Sequence, residues 1–189
     1  MSSPQKWKLL SAEDVSLSPW FPIERRKYQL PSGTIIDDFT VTTIADASMI
    51  IPITTDQKVV LVNQYKPGVD EVMIQFPGGR IESHHQNMGE VAIHELEEET
   101  GIKASPNQLN QFAKLSGFST KATELVYLYL AQDCEFNSKQ NLDETENIEI
   151  LTPTFDEVDD LIMTDQIFCA QTIAGWEMAK KKFPEVFRS

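Results

Sequence analysis

Seven consecutive residues, Leu125–Ala131 (LVYLYLA), contain no charged side chain and are apolar throughout. A β-strand directs successive side chains to opposite faces, so a strand that is apolar on both faces must be covered on both. An edge strand, or a sheet with one face in water, does not fit this run. The sequence therefore predicts a central strand with further structure packed on each side.

Other segments supply elements for these layers. Two apolar runs, Ala47–Ile53 and Lys58–Tyr65, flank a polar turn and are typical of buried strands. Asn87–Thr100 has helix length, starts with a residue suited to capping, and is followed by Gly101, where a helix can end. The predicted fold class is α/β, a sandwich around a mixed sheet. We also expect a strand over Phe112–Leu115 and helices over Phe155–Ile162 and Cys169–Lys182.

The N-terminal region has a different pattern and looks too small to be stable alone. Strand-like segments at Tyr28–Leu30 and Thr34–Ile36 flank a turn at Pro31–Gly33, and Phe39–Val41 follows, which predicts a hairpin or meander. A small β ribbon is marginal in water, so we expect it to pack against something else, such as a second subunit. The predicted division is an N-terminal β region, 1–44, and a catalytic domain, 45–189.

A net charge of −13 excludes several classes of function. The chain has no positive stripe that would attract nucleic acid, and no apolar run long enough to cross a membrane. A polyanionic small substrate would also be repelled unless bound cations reversed the local field. The two cysteines, Cys134 and Cys169, are far apart, and the N-terminus carries no export signal, so we expect a soluble, cytoplasmic protein.

The acidic stretch on the predicted central helix is the strongest chemical signal. Glu95, Glu98 and Glu99 are spaced i, i+3 and i+4, which places them on one face. A hard divalent cation, Mg²⁺ or Mn²⁺, would offset the repulsion between their carboxylates. A solvated helix face is the simpler interpretation of a lone run of glutamates. The turn at Gly78–Gly79 and the stop at Gly101–Ile102 favour the cation site instead.

The stretch from Gly79 to Ile102 resembles the Nudix box, G-x5-E-x7-R-E-U-x-E-E-x-G-U, in which U is aliphatic; the match is best over ELEEETGI. Outside the box, LVNQYKPG, QFPGGRIE, GFST and DETENIEI resemble the branch that acts on ADP-ribose and other nucleoside diphosphate sugars. The resemblance implies a Nudix-type α/β/α sandwich. It also implies metal-dependent hydrolysis of a pyrophosphate bond, giving a nucleoside monophosphate and a sugar phosphate.

Two positions depart from the box. His94 stands in place of the arginine, and the upstream glutamate is replaced by Gln86 or His85, depending on the end from which residues are counted. In the family these two residues support the metal-binding helix, so retuned or weakened activity is expected. The alternative is a Nudix-fold protein that senses a nucleotide sugar without turning it over. Retention of all three glutamates argues against that alternative.

The resemblance also implies metal ligands and a base. Glu95 and Glu99 are expected as the principal metal ligands, with Glu98 assisting in binding and catalysis and the Gly79 carbonyl completing the set. An acidic loop should supply the base that takes a proton from water. The expected base is Glu144, with Glu146 as the close alternative.

Substrate contacts and assembly follow from the same resemblance. The N-terminal region resembles the branch's dimerisation segment, so a homodimer is expected. The expected substrate-binding residues are Lys66, Arg26, Tyr28 and Arg80, with Trp7, Trp20 and Phe21 as further stacking candidates.

His84 and His85 suggest a zinc site, but only His94 could join them and no cysteine lies at ligand spacing, so zinc is disfavoured.

Overall fold

A computed structural model describes residues 3–188 of the chain, which form two compact units. The first unit contains the chain up to Ala45 together with Ser116–Glu124. The second contains Asp46–Leu115 and the chain from Leu125 onward.

The first unit is built on a three-stranded antiparallel sheet. Its strands are β1 (Lys8–Asp14), β2 (Ile23–Gln29) and β3 (Ile35–Thr42), with β2 in the middle. The predicted hairpin is confirmed, and Gly33 in its turn has φ of 88°. Strand β1 escaped prediction because all its residues are exposed and its sequence does not alternate.

The second unit contains two three-stranded sheets. In one, the central strand β8 is parallel to β4 and antiparallel to β7. In the other, β5 is antiparallel to both β6 and β9. The strands are β4 (Ala47–Thr54), β5 (Leu61–Lys66), β6 (Glu71–Gln75), β7 (Leu109–Leu115), β8 (Val126–Cys134) and β9 (Ile148–Leu151).

Helices cover both faces of the mixed sheet. The helices are α1 (Met88–Thr100), α2 (Phe155–Met163) and α3 (Ala170–Lys182). Leu96 of α1 shares a core with Ile50 and Ala131, whereas Trp176 of α3 shares the other core with Ile51 and Leu128. Neighbouring residues of β4 and β8 thus enter opposite cores, which confirms the α/β/α sandwich and the central position of the LVYLYLA strand. Within residues 3–188, the helices lack the length and apolarity that crossing a membrane requires.

Helix α1 begins and ends where the sequence predicts. The Asn87 side chain accepts a hydrogen bond of 3.0 Å from the Glu90 N–H, which satisfies one free amide of the first turn. Gly101 adopts a left-handed conformation with φ of 74°, and its N–H donates to the Glu97 carbonyl. Both ends of the helix are therefore fixed by local interactions.

Candidate active site

Helix α1 places its carboxylates against the loop that follows β6. Ala92 and Leu96 are fully buried beneath the helix, which turns Glu95 and Glu99 toward that loop. The backbone N–H of Gly78 donates a hydrogen bond of 2.8 Å to Glu99 Oε2. Glu99 is only 3% exposed, which is exceptional for a glutamate.

Gly79 makes this close approach possible. A Cβ atom built on Gly79 would lie 2.1 Å from Glu95 Oε1, so the carboxylate occupies the space of the missing side chain. The Gly79 carbonyl accepts a hydrogen bond of 2.9 Å from the Ser48 N–H, which anchors the loop to β4. A carbonyl oxygen has two lone pairs, so one remains for a further partner.

Burial without a neutralising partner raises the pKa of both inner carboxylates. Burial raises the pKa of Glu95 to about 7, and the negative charge of Glu98 and then of Glu146 adds to the effect. The pKa of Glu99 is raised to about 8, again chiefly by burial. The hydrogen bond from Gly78 and the positive charge of Lys66 oppose that rise without cancelling it.

These features fit a hard divalent cation. Buried carboxylates held side by side are destabilised when ionised, and a cation between them removes the repulsion. All the available donors are oxygen atoms, the ligands that Mg²⁺ and Mn²⁺ prefer. Glu95, Glu99, Glu98 and the Gly79 carbonyl are the groups that would hold such an ion.

Four of the other expected site residues lie in the second unit, near this cluster or in the loops around it. Lys66, at the end of β5, contributes positive charge at Glu99 and donates a hydrogen bond of 2.5 Å to Gln64. Glu146 contributes negative charge at both Glu95 and Glu99, whereas Glu144 is exposed at the turn of the same loop. Arg80 is exposed just after the glycine turn, and its backbone bridges to Ala47.

Arg26 and Tyr28 belong to the first unit, where they come together. Arg26 binds Glu24 at 2.7 Å and donates to the Tyr28 hydroxyl at 3.3 Å. The Tyr28 ring packs edge-on against Trp7 and Phe39, with ring centroids 5.8 Å apart in each case. These residues line a cavity of about 360 Å³ within the unit. Trp20 and Phe21 are 88% and 52% exposed, so they are surface residues and not core.

Comparison with known proteins identifies the family. The NUDIX domain model matches residues 43–170, more than half of the chain. The chain belongs to the Nudix family. The resemblance of the acidic helix to a Nudix box and the expected class of enzyme, a Nudix hydrolase, are thereby confirmed.

The similar proteins differ in the function that their names describe. A methanol dehydrogenase activator of Bacillus methanolicus is 32% identical over 131 residues, which cover 67% of this chain and 68% of that protein. An ADP-ribose pyrophosphatase of Bacillus subtilis (strain 168) is 27% identical over 130 residues, 67% of each chain. A crystal structure of an ADP compounds hydrolase matches with a TM-score of 0.85 at 25% identity and covers the whole of both chains.

The altered Nudix-box positions are in contact with each other. His94 Nδ1 lies 3.3 Å from His85 Nε2, so His85 faces the residue that replaces the arginine. The backbone N–H of Gln86 donates a hydrogen bond of 2.8 Å to Glu90 Oε2. His94 Nε2 lies 3.5 Å from Glu98 Oε1, so the histidine contacts Glu98. Counting along the sequence leaves His85 and Gln86 open for the position of the glutamate, and of these two it is His85 that contacts His94.

The fit between Gly79 and Glu95 leads to a first prediction. Gly79→Ala should displace the Glu95 carboxylate and lower metal affinity by about 10–100-fold, because the new methyl group takes its place. Stability should change little, since the displaced atoms are the end of a flexible side chain. Isothermal titration with Mn²⁺ measures the affinity. Gly68→Ala is the matched control because a Cβ there meets open space, and equal affinities of the two variants would contradict the geometry.

The raised pKa values lead to a second prediction, about metal-free stability. A folded-state pKa of about 8 for Glu99, against 4.5 ordinarily, means that the folded state binds more protons than the unfolded state between these values. In EDTA the melting temperature should therefore fall as the pH rises from about 4.5 to about 8.

Glu99→Gln should reduce that dependence, because the amide does not titrate and Glu95, with a pKa of about 7, is the inner carboxylate that remains. Glu97→Gln, on the same helix but paired with Lys103, is the control and should keep the slope of the unmodified protein. Scanning calorimetry across this pH range provides the comparison. Parallel curves for all three proteins would show that Glu99 does not titrate as its burial requires.

Proposed function

We propose that this Nudix protein hydrolyses the pyrophosphate bond of ADP-ribose or a related nucleoside diphosphate sugar, releasing a nucleoside monophosphate and a sugar phosphate. The observation that carries the proposal is the pair formed by the half-buried Glu95 and the buried Glu99, held against Gly78 and Gly79. A helix whose acidic face had only a surface role would leave these carboxylates exposed to water. The names of two similar proteins, an ADP-ribose pyrophosphatase and an ADP compounds hydrolase, support the substrate class.

The proposed cofactor is Mg²⁺, with Mn²⁺ as a substitute of similar ligand preference. When bound, a divalent cation offsets the charge of the two phosphates and lowers the pKa of the attacking water. The chain's own part is to keep Glu95, Glu98 and Glu99 in fixed positions through the capped helix and the glycine turn. Lys66 is proposed as a phosphate contact, and its positive charge acting at Glu99 supports this.

Glu146 is the better supported of the two proposed bases. Its negative charge acts on both Glu95 and Glu99, so it lies near the inner carboxylates. Its carboxylate accepts a hydrogen bond of 3.1 Å from the Asp143 N–H, which fixes the side chain within the loop. A general base must come within reach of the water proton, and a fixed position near the cluster meets that need.

Arg26 and Tyr28 are proposed as substrate contacts of the first unit. The cavity that they line combines aromatic edges with a cation, a combination suited to a base and a phosphate. Arg80, which is exposed beside the glycine turn, is proposed as a further phosphate contact.

We further propose a homodimer that works in the cytoplasm without a nucleic acid or membrane partner. Exposed apolar side chains of the first unit support the dimer, since Leu17 is fully exposed and Trp20 nearly so. The net charge of −13 disfavours binding to nucleic acid or to an anionic membrane surface. Free Cys134 and Cys169 are compatible with a reducing compartment.

A substrate panel tests the reaction. The purified protein is incubated with ADP-ribose, ADP-glucose, GDP-mannose, UDP-glucose, NADH and diadenosine polyphosphates, each with Mg²⁺, Mn²⁺ or EDTA. We expect metal-dependent release of phosphomonoester, greatest with the sugar nucleotides. Glu99→Gln should lose most turnover, whereas Glu97→Gln should retain it, because only Glu99 belongs to the buried cluster.

The same panel addresses the alternative of a nucleotide-sugar sensor. The histidine pair in the altered box is the observation that favours it. A sensor would release no phosphomonoester from any substrate, yet its melting temperature would rise when a sugar nucleotide is added.

Paired variants of the acidic loop test the base. Glu146→Gln should lower kcat by about 10²–10⁴-fold with little change in KM, because general-base catalysis acts in the chemical step. Glu144→Gln, two residues away in the same loop and exposed, is the matched control and should change kcat by less than about tenfold. The reverse order would transfer the role to Glu144.

A further inference from the structure

All three histidines of the chain come together at one place beside α1. The rings of His84 and His85 have centroids 3.9 Å apart, and His94 lies 5.4 Å and 5.2 Å from them. One ring nitrogen from each residue lies within 4.8 Å of the other two. His84 and His85 belong to the loop before the helix and His94 to its second turn, so the fold assembles a cluster that residue spacing did not predict.

The distances suit an ion held between imidazoles. Imidazole nitrogens bind Zn²⁺ at about 2.0–2.1 Å, so two nitrogens on a tetrahedral ion are about 3.3 Å apart. His85 Nε2 and His94 Nδ1 are already separated by 3.3 Å. His84 lies on an exposed loop, with its side chain 56% accessible, so it is free to close the remaining gap. Glu82 Oε2, 3.5 Å from His84 Nδ1, is positioned to orient that ring.

We propose that His84, His85 and His94 bind one Zn²⁺ or a chemically similar transition-metal ion, in addition to the cation of the carboxylate cluster. The donors separate the two sites. Imidazole nitrogen suits Zn²⁺, Ni²⁺ and Cu²⁺, whereas Mg²⁺ prefers oxygen ligands. Excess Mg²⁺ therefore competes for the carboxylates and not for the imidazoles.

The histidine site is connected to the carboxylate cluster through Glu98. When His94 binds an ion through Nδ1, its other nitrogen keeps a proton and can donate to Glu98 Oε1, now 3.5 Å away. A histidine ligand whose second nitrogen donates to a carboxylate is a common arrangement in metal sites. For His85 to bind through Nε2, its proton must be on Nδ1, so the hydrogen bond of 3.2 Å that Nδ1 accepts from the Glu82 N–H is lost when the ion binds.

A binding measurement tests the proposal without relying on catalysis. The full-length protein, labelled with ¹⁵N in its histidines and kept in millimolar Mg²⁺, is titrated with Zn²⁺. Calorimetry gives the stoichiometry and affinity, and NMR follows the three imidazoles, which have no background because the chain contains no other histidine. We expect one ion per chain and shifts of all three imidazoles.

Variants assign the ligands. His84→Ala and His85→Ala should each weaken Zn²⁺ binding by at least tenfold, and Glu99→Gln should leave it unchanged. Thermal denaturation checks that the two histidine variants stay folded, as expected for side chains in an exposed loop.

Three results would contradict the histidine site. The first is that Zn²⁺ leaves the NMR signals of the imidazoles unchanged, and the second is that only one or two of the three imidazoles shift. The third result is Zn²⁺ binding that is lost in Glu99→Gln but kept in His84→Ala. The last result would place the ion on the carboxylates and would leave the proposed hydrolysis untouched. Absence of hydrolysis in the substrate panel would likewise leave the histidine site standing, because the Zn²⁺ measurement does not depend on turnover.

Discussion

The contact between the inner carboxylates of α1 and the Gly78–Gly79 turn is the constraint on which the rest of the site depends. Two ionisable groups are taken out of water there, and without a cation the ionised forms are disfavoured. The contact exists because glycine leaves room for Glu95 and presents an amide to Glu99. The burial that raises the pKa values of Glu95 and Glu99 also favours the binding of a metal ion between them.

The fold supports this contact from below. Leu96 and Ala92 fasten one side of α1 to the mixed sheet, while Asn87 and Gly101 fix its ends. A helix held in this way cannot rotate to release its glutamates into water. The packing of α1 on the sheet thus holds its glutamates in fixed positions, as a metal site requires.

The sequence predicts those features of the fold that depend on neighbouring residues or on a periodic pattern. The ends of α1 follow from a cap and a glycine, and the central strand follows from apolar residues on both faces. The partner of His94 could not be predicted, since it depends on how a loop one residue longer than the box folds back. The orientation of Glu146 relative to Glu144 likewise depends on a turn whose side chains carry no periodic signal. Strand β1 was missed because pairing with β2, not burial, holds it.

His94 stands where the Nudix box has arginine, and it contacts His85, one of the two candidates for the position of the box's glutamate. The two imidazoles meet between the loop and the helix, with His85 Nε2 3.3 Å from His94 Nδ1, so the loop is in contact with α1 there. Arginine carries a permanent positive charge, whereas the charge of a histidine depends on pH. The substitution also leaves nitrogen lone pairs where arginine offers only donors, which is why a second class of metal ion becomes chemically possible at this position.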